Sequence, residues 1–215
     1  MSKKVVIVTK GAASFARYLK ELGADIYTME AQASDIQGAV LAECGAIYWD
    51  MATIVNPHTR HLVRSLLLSV PRDCERILDF NLKDPDAESL HPVILSLKCC
   101  DILKIDNREF TKICLLLGLT SPNLFDNGFE LMKRYQIKTL ILTHGTRGCH
   151  VFHGNAISEK WGVAPDVSHL SKEGESAFLA AFYIASQEPN RLFTECHRIA
   201  FDYMRQQNEE KINTY

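Results

Sequence analysis

A chain of 215 residues, 47% hydrophobic and 23% charged, is long enough for one globular domain with a sizeable buried core, and one domain is expected over residues 1–215. A net charge of −2 and a pI of about 6.4 exclude partners held by bulk charge, such as nucleic acid or an anionic membrane surface. The apolar run that opens MSKKVVIVTK ends at Lys10, too short for a signal-peptide core, and no stretch approaches a membrane span, so a cytoplasmic protein is expected.

Taken in chain order, β-branched Lys4–Thr9 predicts a strand. Phe15, Leu19 and Leu22 follow at helical spacing, stopped by Gly23. Asp25–Met29 is a second strand, Ala31–Leu41 weakly helical, and Ala46–Asp50 a third strand. A helix from about His58 to Ser69 ends before Pro71. Strand Arg76–Phe80, a loop through Pro85, a helix from about Glu88 to Leu97 and strand Asp101–Ile105 come next. Phe110, Ile113, Cys114 and Leu117 mark another helix, and Ser121-Pro122 reads as an N-cap opening a further one to about Tyr135. Thr139–Thr143 is a strand, Gly145–Gly148 a turn, and His150–Phe152 with Ala156–Ile157 a hairpin turning at His153-Gly154-Asn155. Two helices close the chain, over about Lys172–Ser186 and Arg191–Gln207. The second carries a stripe of Leu192, Cys196, Ile199 and Tyr203, and a fraying polar tail follows it.

Strand–helix alternation over most of this length predicts an α/β fold with a mostly parallel sheet covered on both faces, a three-layer α/β/α arrangement. Ligands of such sheets bind beyond the carboxyl ends of the strands. The seven cysteines lack a CxxC, and several stand in apolar runs, which predicts reduced and mostly buried thiols. The adjacent pair Cys99-Cys100 rarely satisfies the geometry of a relaxed disulfide. His58 with His61, and His150 with His153, lack further ligands at a usual metal spacing.

Three loops follow strand ends and could meet at the carboxyl edge. Asp106 and Glu109, after DILKI, could hold Mg²⁺ near a nucleotide phosphate; equally, Asp106 caps the next helix and Glu109 reaches back in a capping box. In Thr143-His144-Gly145-Thr146-Arg147-Gly148 the two glycines would let backbone approach a nucleotide and Arg147 would pair with phosphate; a plain turn into the hairpin is the alternative. The stretch Asp166–Ala185 runs from polar residues through Gly174 into an alanine-rich helix. Its start is a possible phosphate seat with Glu175 as a base on an alcohol, or an ordinary helix N-terminus favoured by Glu173 and Glu175.

Five segments in order resemble the ribokinase-like (PfkB) family of carbohydrate kinases, most closely its fructokinase branch. Gly11–Asp25 resembles the Gly-rich turn, helix and LGA-D of the family. Ile77-Leu-Asp79-Phe-Asn81-Leu-Lys83 resembles D-x-N-x-R, with lysine for arginine, and Asp101–Glu109 resembles ADxLKxNxxE, with Asp106 for the asparagine. Thr143–Gly148 resembles the nucleotide-binding TxGxxG, and Val167–Phe182 the region of DTxGAGDxF.

The resemblance implies ATP-dependent γ-phosphoryl transfer to a sugar hydroxyl. The GAGD aspartate would be the base, the preceding glycine amides an anion hole, and Mg²⁺ would lie near the NxxE glutamate, here Glu109. Nucleotide contacts would fall to Asp106, Thr143, Gly145, Thr146, Arg147 and Gly148. GAGD, however, reads Lys172-Glu173-Gly174-Glu175; an ungapped match through FLAAF puts Ser176 at the base position instead. A base displaced by about 1 Å costs on the order of 100-fold in rate. Only Glu30–Gly45 stand where family members continue the sheet into a β-lid over the sugar, so a lidless form is expected, without the N-terminal sugar-contacting segment. Two functions follow as expectations: a diverged sugar kinase with Glu175 and Gly174 at its catalytic centre, or a catalytically inactive pseudokinase that binds a nucleotide or a protein, with a homodimer as one possible assembly.

Overall fold

The computed structural model describes residues 4–8, 12–29, 38–82, 84–86, 88–145, 147–161 and 171–212. The β-branched and leucine-rich runs form strands β1 (Lys4–Val8), β2 (Ile26–Met29), β3 (Cys44–Asp50), β4 (Glu75–Phe80), β5 (Ile102–Asp106), β6 (Thr139–Thr143), β7 (Gly148–His153) and β8 (Ala156–Trp161). They make one sheet in the order β2-β1-β3-β4-β5-β6-β7-β8. Pairing is parallel from β2 to β6 and antiparallel for the β7–β8 hairpin. The strand order reverses at β1, which puts the topological switch point between β1 and β3.

Helices cover both faces, as the strand–helix alternation predicts. The helices are α1 (Ala13–Glu21), α2 (Gly38–Ala42), α3 (Met51–Val55), α4 (Pro57–Ser69), α5 (Leu90–Leu97), α6 (Asn107–Leu116), α7 (Leu124–Tyr135), α8 (Ser171–Ser186) and α9 (Phe193–Ile212). One core layer packs Ile47, Trp49, Leu78, Phe80, Leu103 and Ile105 against α3 to α7. The other packs Ala46, Tyr48, Ile77, Ile102 and Ile141 under α1, α8 and α9. The split follows the period-two alternation of side chains along each strand. Among the described residues all strands belong to this one sheet, and no helix is long and apolar enough to cross a membrane. Residues 30–37, half of the stretch where a lid would be built, lie outside the described residues.

Three expectations need correction. The helix expected to open at Ser121-Pro122 is capped by Asn123, whose side chain accepts from the Phe125 N–H at 2.9 Å; Ser121 donates its hydroxyl to Asp126 instead. The last helix does not fray after Gln207: it continues to Ile212, with Arg198–Asp202 and Arg205–Glu209 pairs one turn apart along its exposed side. Leu192 of the expected apolar stripe precedes that helix and is 68% exposed. A single turn, α3, was not anticipated; it follows β3 because Asp50 caps it, accepting from the Thr53 N–H at 2.8 Å. All seven cysteines are free, and only Cys99 among them is exposed, as their apolar settings predict.

Candidate functional site

Along β4, β5 and β6 the residues facing α8 alternate to polar just before the carboxyl edge: Ile77 to Asp79, Ile102 to Lys104, Ile141 to Thr143. On β3 the same face ends in Tyr48 and Asp50. Parallel register sets Asp50 beside Asp79 and Asp79 beside Lys104. The first turns of α8 bring Glu175 down onto this row.

Lys104 Nζ lies 2.5 Å from Glu175 Oε2 and 3.1 Å from Asp79 Oδ1. The Thr143 hydroxyl donates to Glu175 Oε1 at 3.0 Å, and the Tyr48 hydroxyl to Asp79 Oδ2 at 2.9 Å. Asp50 is buried, accepting from Thr53 and, at 3.5 Å, from the Asn81 amide. Thr53 in turn donates to the Val8 carbonyl across the switch point between β1 and β3. Burial alone would lower the Lys104 pKa, but the carboxylates of Asp79 and Glu175 outweigh it and hold the ammonium charged well beyond its usual range. Burial and the Asp79 charge push the Tyr48 phenol well up, so it stays a donor.

The other anticipated residues divide by location. Asp106 and Glu109 form a capping box on α6: Asp106 accepts from the Arg108 N–H at 2.8 Å, and Glu109 accepts from the Asp106 N–H at 3.4 Å. Burial pushes the Glu109 carboxyl up to about 7, with the Lys104 charge opposing the rise. Gly145 and Gly148 both carry a positive φ, of 61° and 142°. A Cβ on Gly148 would stand 2.1 Å from the Lys160 carbonyl oxygen, so the close approach of β8 is itself a reason for glycine there. The turn closes through His144 N–H donating to the Gly148 carbonyl at 2.9 Å, and Arg147 is exposed. Thr146 lies outside the described residues, as do Val167 to Leu170 before α8. Gly174 lies inside α8, where an added Cβ would meet the Asn208 side chain of α9 at 3.2 Å. A side chain here would need the Asn208 side chain to yield by a few tenths of an ångström.

The structure thus joins Glu175 to Thr143, and leaves Asp106 and Glu109 engaged with each other. Of the groups that complete the constellation, Asp79 and Lys104 lie in two of the segments compared above and Tyr48 lies in strand β3 outside them; none of the three is a candidate from its sequence motif alone. Their signal is a lone charge of opposite sign at the core-facing parity of two adjacent apolar runs, RILDF and DILKI. No divalent-metal site is preformed among the described residues: Glu109 closes the cap on α6, Asp79 and Glu175 face the Lys104 ammonium, and no three His, Cys, Asp or Glu side chains converge; one or two carboxylates with a nucleotide's phosphates are the arrangement left for Mg²⁺. Of the histidine pairs, His150 and His153 have different partners. His150 Nδ1 meets His144 Nε2 at 2.8 Å, His153 Nδ1 meets Thr139 Oγ1 at 2.9 Å, and His58 and His61 stand exposed on α4.

No protein-family model matches the sequence, and no curated protein matches it by sequence. Its similarity is to solved structures. A PfkB protein from Polaromonas sp. JS666 superposes with a TM-score of 0.75 at 9% identity, covering 100% of both chains. A fructokinase with bound ATP from Xylella fastidiosa gives 0.71 at 11% identity, over 95% of this chain and 86% of that one. The adenosine kinase of Trypanosoma brucei brucei gives 0.72 at 9% identity, over 95% and 89%. The one-sheet topology, the two helical layers and these superpositions together assign the chain the ribokinase-like fold of the PfkB carbohydrate kinases.

Proposed function

We propose that this chain is a pseudokinase, a ribokinase-like protein that keeps the fold of sugar and nucleoside kinases without an operating phosphoryl-transfer centre. The observation that carries this reading is the Lys104–Glu175 pair. A general base must reach the proton it takes with a free lone pair in line. Here Glu175 Oε2 faces an ammonium and Oε1 accepts from Thr143, and the cluster is buried. Asp50, Asp79 and Glu175 set three carboxyl groups against the one ammonium of Lys104, which disfavours a polyphosphate near them.

A nucleotide remains the ligand class the fold favours, since a structure of similar fold holds ATP. Its contacts would be the turn Thr143–Gly148 and Asp106, with Arg147 the one exposed cation among them. Mg²⁺ alone has no preformed site among the described residues, so in this reading it would enter only with a nucleotide's phosphates. The rival reading, a kinase for a sugar or other small alcohol, is favoured by one feature: Glu175 does stand at the carboxyl edge beside Thr143. In that case Lys104 would have to release it.

Melting temperature with and without ATP, followed by phosphoryl transfer to a panel of sugars and nucleosides, separates the two. An ATP-dependent rise without transfer is expected. Transfer that Glu175→Gln abolishes would establish the kinase instead.

A further inference from the structure

At the amino edge of the sheet, away from the polar row, two buried thiols meet. Cys44 Sγ and Cys74 Sγ are 3.4 Å apart, and each residue is at most 2% exposed. They are 30 positions apart in sequence, on the ends of neighbouring strands: Cys44 is the first residue of β3 and Cys74 immediately precedes β4. We propose that Cys44 and Cys74 form an oxidation site, in which a hydroperoxide converts the thiol pair to a disulfide clamping β3 to β4.

The geometry favours this pair over the other five cysteines. A disulfide needs the sulfurs at about 2.05 Å, so closure requires a shift of about 1.4 Å. The backbone at both ends is placed to give it. Register between β1 and β3 slips between Lys4 and Val5, leaving Gly45 out of the ladder directly after Cys44. Cys74 sits at the end of a turn, its N–H donating to the Pro71 carbonyl at 3.1 Å, and is not itself a strand residue. The alternative neighbours Cys99 and Cys100 are adjacent in sequence, a pairing whose ring is strained.

The chemistry is also polarised. The Cys74 thiol donates to Cys44 Sγ, a bond that lowers the Cys44 thiol pKa against the opposing effect of burial and, with burial, raises that of Cys74; Cys44 Sγ in turn stands 3.1 Å from the Ala46 carbonyl oxygen. Cys44 is the better activated of the two and serves as the nucleophile in this proposal. Its sulfur attacks one oxygen of hydrogen peroxide, the O–O bond breaks, and Cys44 becomes a sulfenic acid while the other oxygen leaves as hydroxide and takes up a proton. Cys74 sulfur then attacks the Cys44 sulfur; the S–S bond forms, the S–O bond breaks, and the second oxygen leaves as water with the Cys74 proton. Two thiols and one peroxide give one disulfide and two waters.

The test is peptide mapping of the reduced wild-type chain after stoichiometric hydrogen peroxide, with free thiols alkylated under denaturing conditions. Expected are an intact mass two hydrogens lower, one cross-linked peptide joining Cys44 to Cys74, reversal by dithiothreitol, and a melting temperature raised by on the order of 5 °C from closing the loop. Cys74→Ser should stop at a sulfenic acid on Cys44 that dimedone traps. Peroxide that only adds oxygen to exposed Cys99, leaving Cys44 and Cys74 open to alkylation, would overturn the proposal. A cross-link between any other pair would overturn it equally. Because the map is read on the wild-type chain, a Cys74→Ser protein that does not fold leaves the test intact.

Discussion

Lys104 and Glu175 join two elements far apart in sequence, the middle of strand β5 and the first turns of helix α8, through an ion pair whose side chains are 9% and 12% exposed. That pair decides how the carboxyl edge of this sheet behaves. Coulomb attraction at this depth is weakly screened, while each charge alone would carry a large desolvation cost. The three side chains Asp79, Lys104 and Glu175 therefore act as one unit, bracketed by the hydroxyls of Tyr48 and Thr143.

Removing the cation should accordingly cost more than removing its partner. Lys104→Met leaves Asp79 and Glu175 buried without their shared ammonium, and a loss of about 3–5 kcal/mol is expected. Glu175→Gln keeps an acceptor for Thr143 and leaves Lys104 paired with Asp79, so its loss should be smaller. The double variant Lys104→Met with Glu175→Gln should recover part of the first loss, a coupling that urea denaturation of the four proteins measures directly.

The same unit predicts the response to metal. Millimolar Mg²⁺ alone should leave the wild-type melting temperature unchanged, because Asp79 and Glu175 already hold Lys104 and Asp106 and Glu109 are engaged in the cap of α6. A Mg²⁺-dependent rise in the wild-type protein would show that the ammonium is displaced and that the site is a metal site after all.

How far the sequence goes is visible in these residues. Strands and helices were legible because periods of two and near four are written locally, and the parallel sheet followed from their alternation. The capping box at Asp106 and Glu109 was legible for the same reason: both partners lie within one turn. Lys104 with Glu175 was not, since 71 positions separate them (175 − 104) and nothing local states that their elements meet. The reading of Gly174 as part of a phosphate seat drew on a motif, whereas the closeness of Asn208 to the space its Cβ would fill depends on how α8 and α9 cross. Ser121-Pro122 and Asn123 are both good helix starts by residue type, and only the hydrogen bond from Phe125 N–H to the Asn123 side chain selects the second.

Gly148 offers a test of whether its motif is structural. Alanine there would need a φ of 142° and a Cβ 2.1 Å from the Lys160 carbonyl oxygen, with Trp161 Cα at 3.0 Å. Because these contacts are backbone, the hairpin must open to relieve them. Gly148→Ala should cost about 3 kcal/mol or more in the absence of any ligand. An unchanged stability with a lost ATP response would instead assign this glycine to nucleotide binding.

Stability against pH should show two buried groups working in opposite directions. Burial pushes His197 down to about 4 from its ordinary 6.5; it is fully buried, with Cys149 Sγ at 3.1 Å and Ser158 Oγ at 2.9 Å. The unfolded chain gains a proton at His197 as pH falls through 6.5, while the folded chain resists until about 4. Its contribution is therefore complete above 6.5 and is lost towards 4, a change on the order of 2 kcal/mol. Glu109 is pushed up to about 7 from 4.5, also by burial. Between those values the folded chain keeps a proton the unfolded chain has released, so its contribution is present in acid and lost as pH rises towards 7. The two windows overlap and partly cancel in the wild-type protein. Glu109→Gln removes only the second, so its melting temperature should fall more steeply than wild type between pH 7 and 4.5. Other titrating groups contribute equally to both proteins and drop out of that comparison; parallel curves for the two would show that Glu109 ionises normally in the fold.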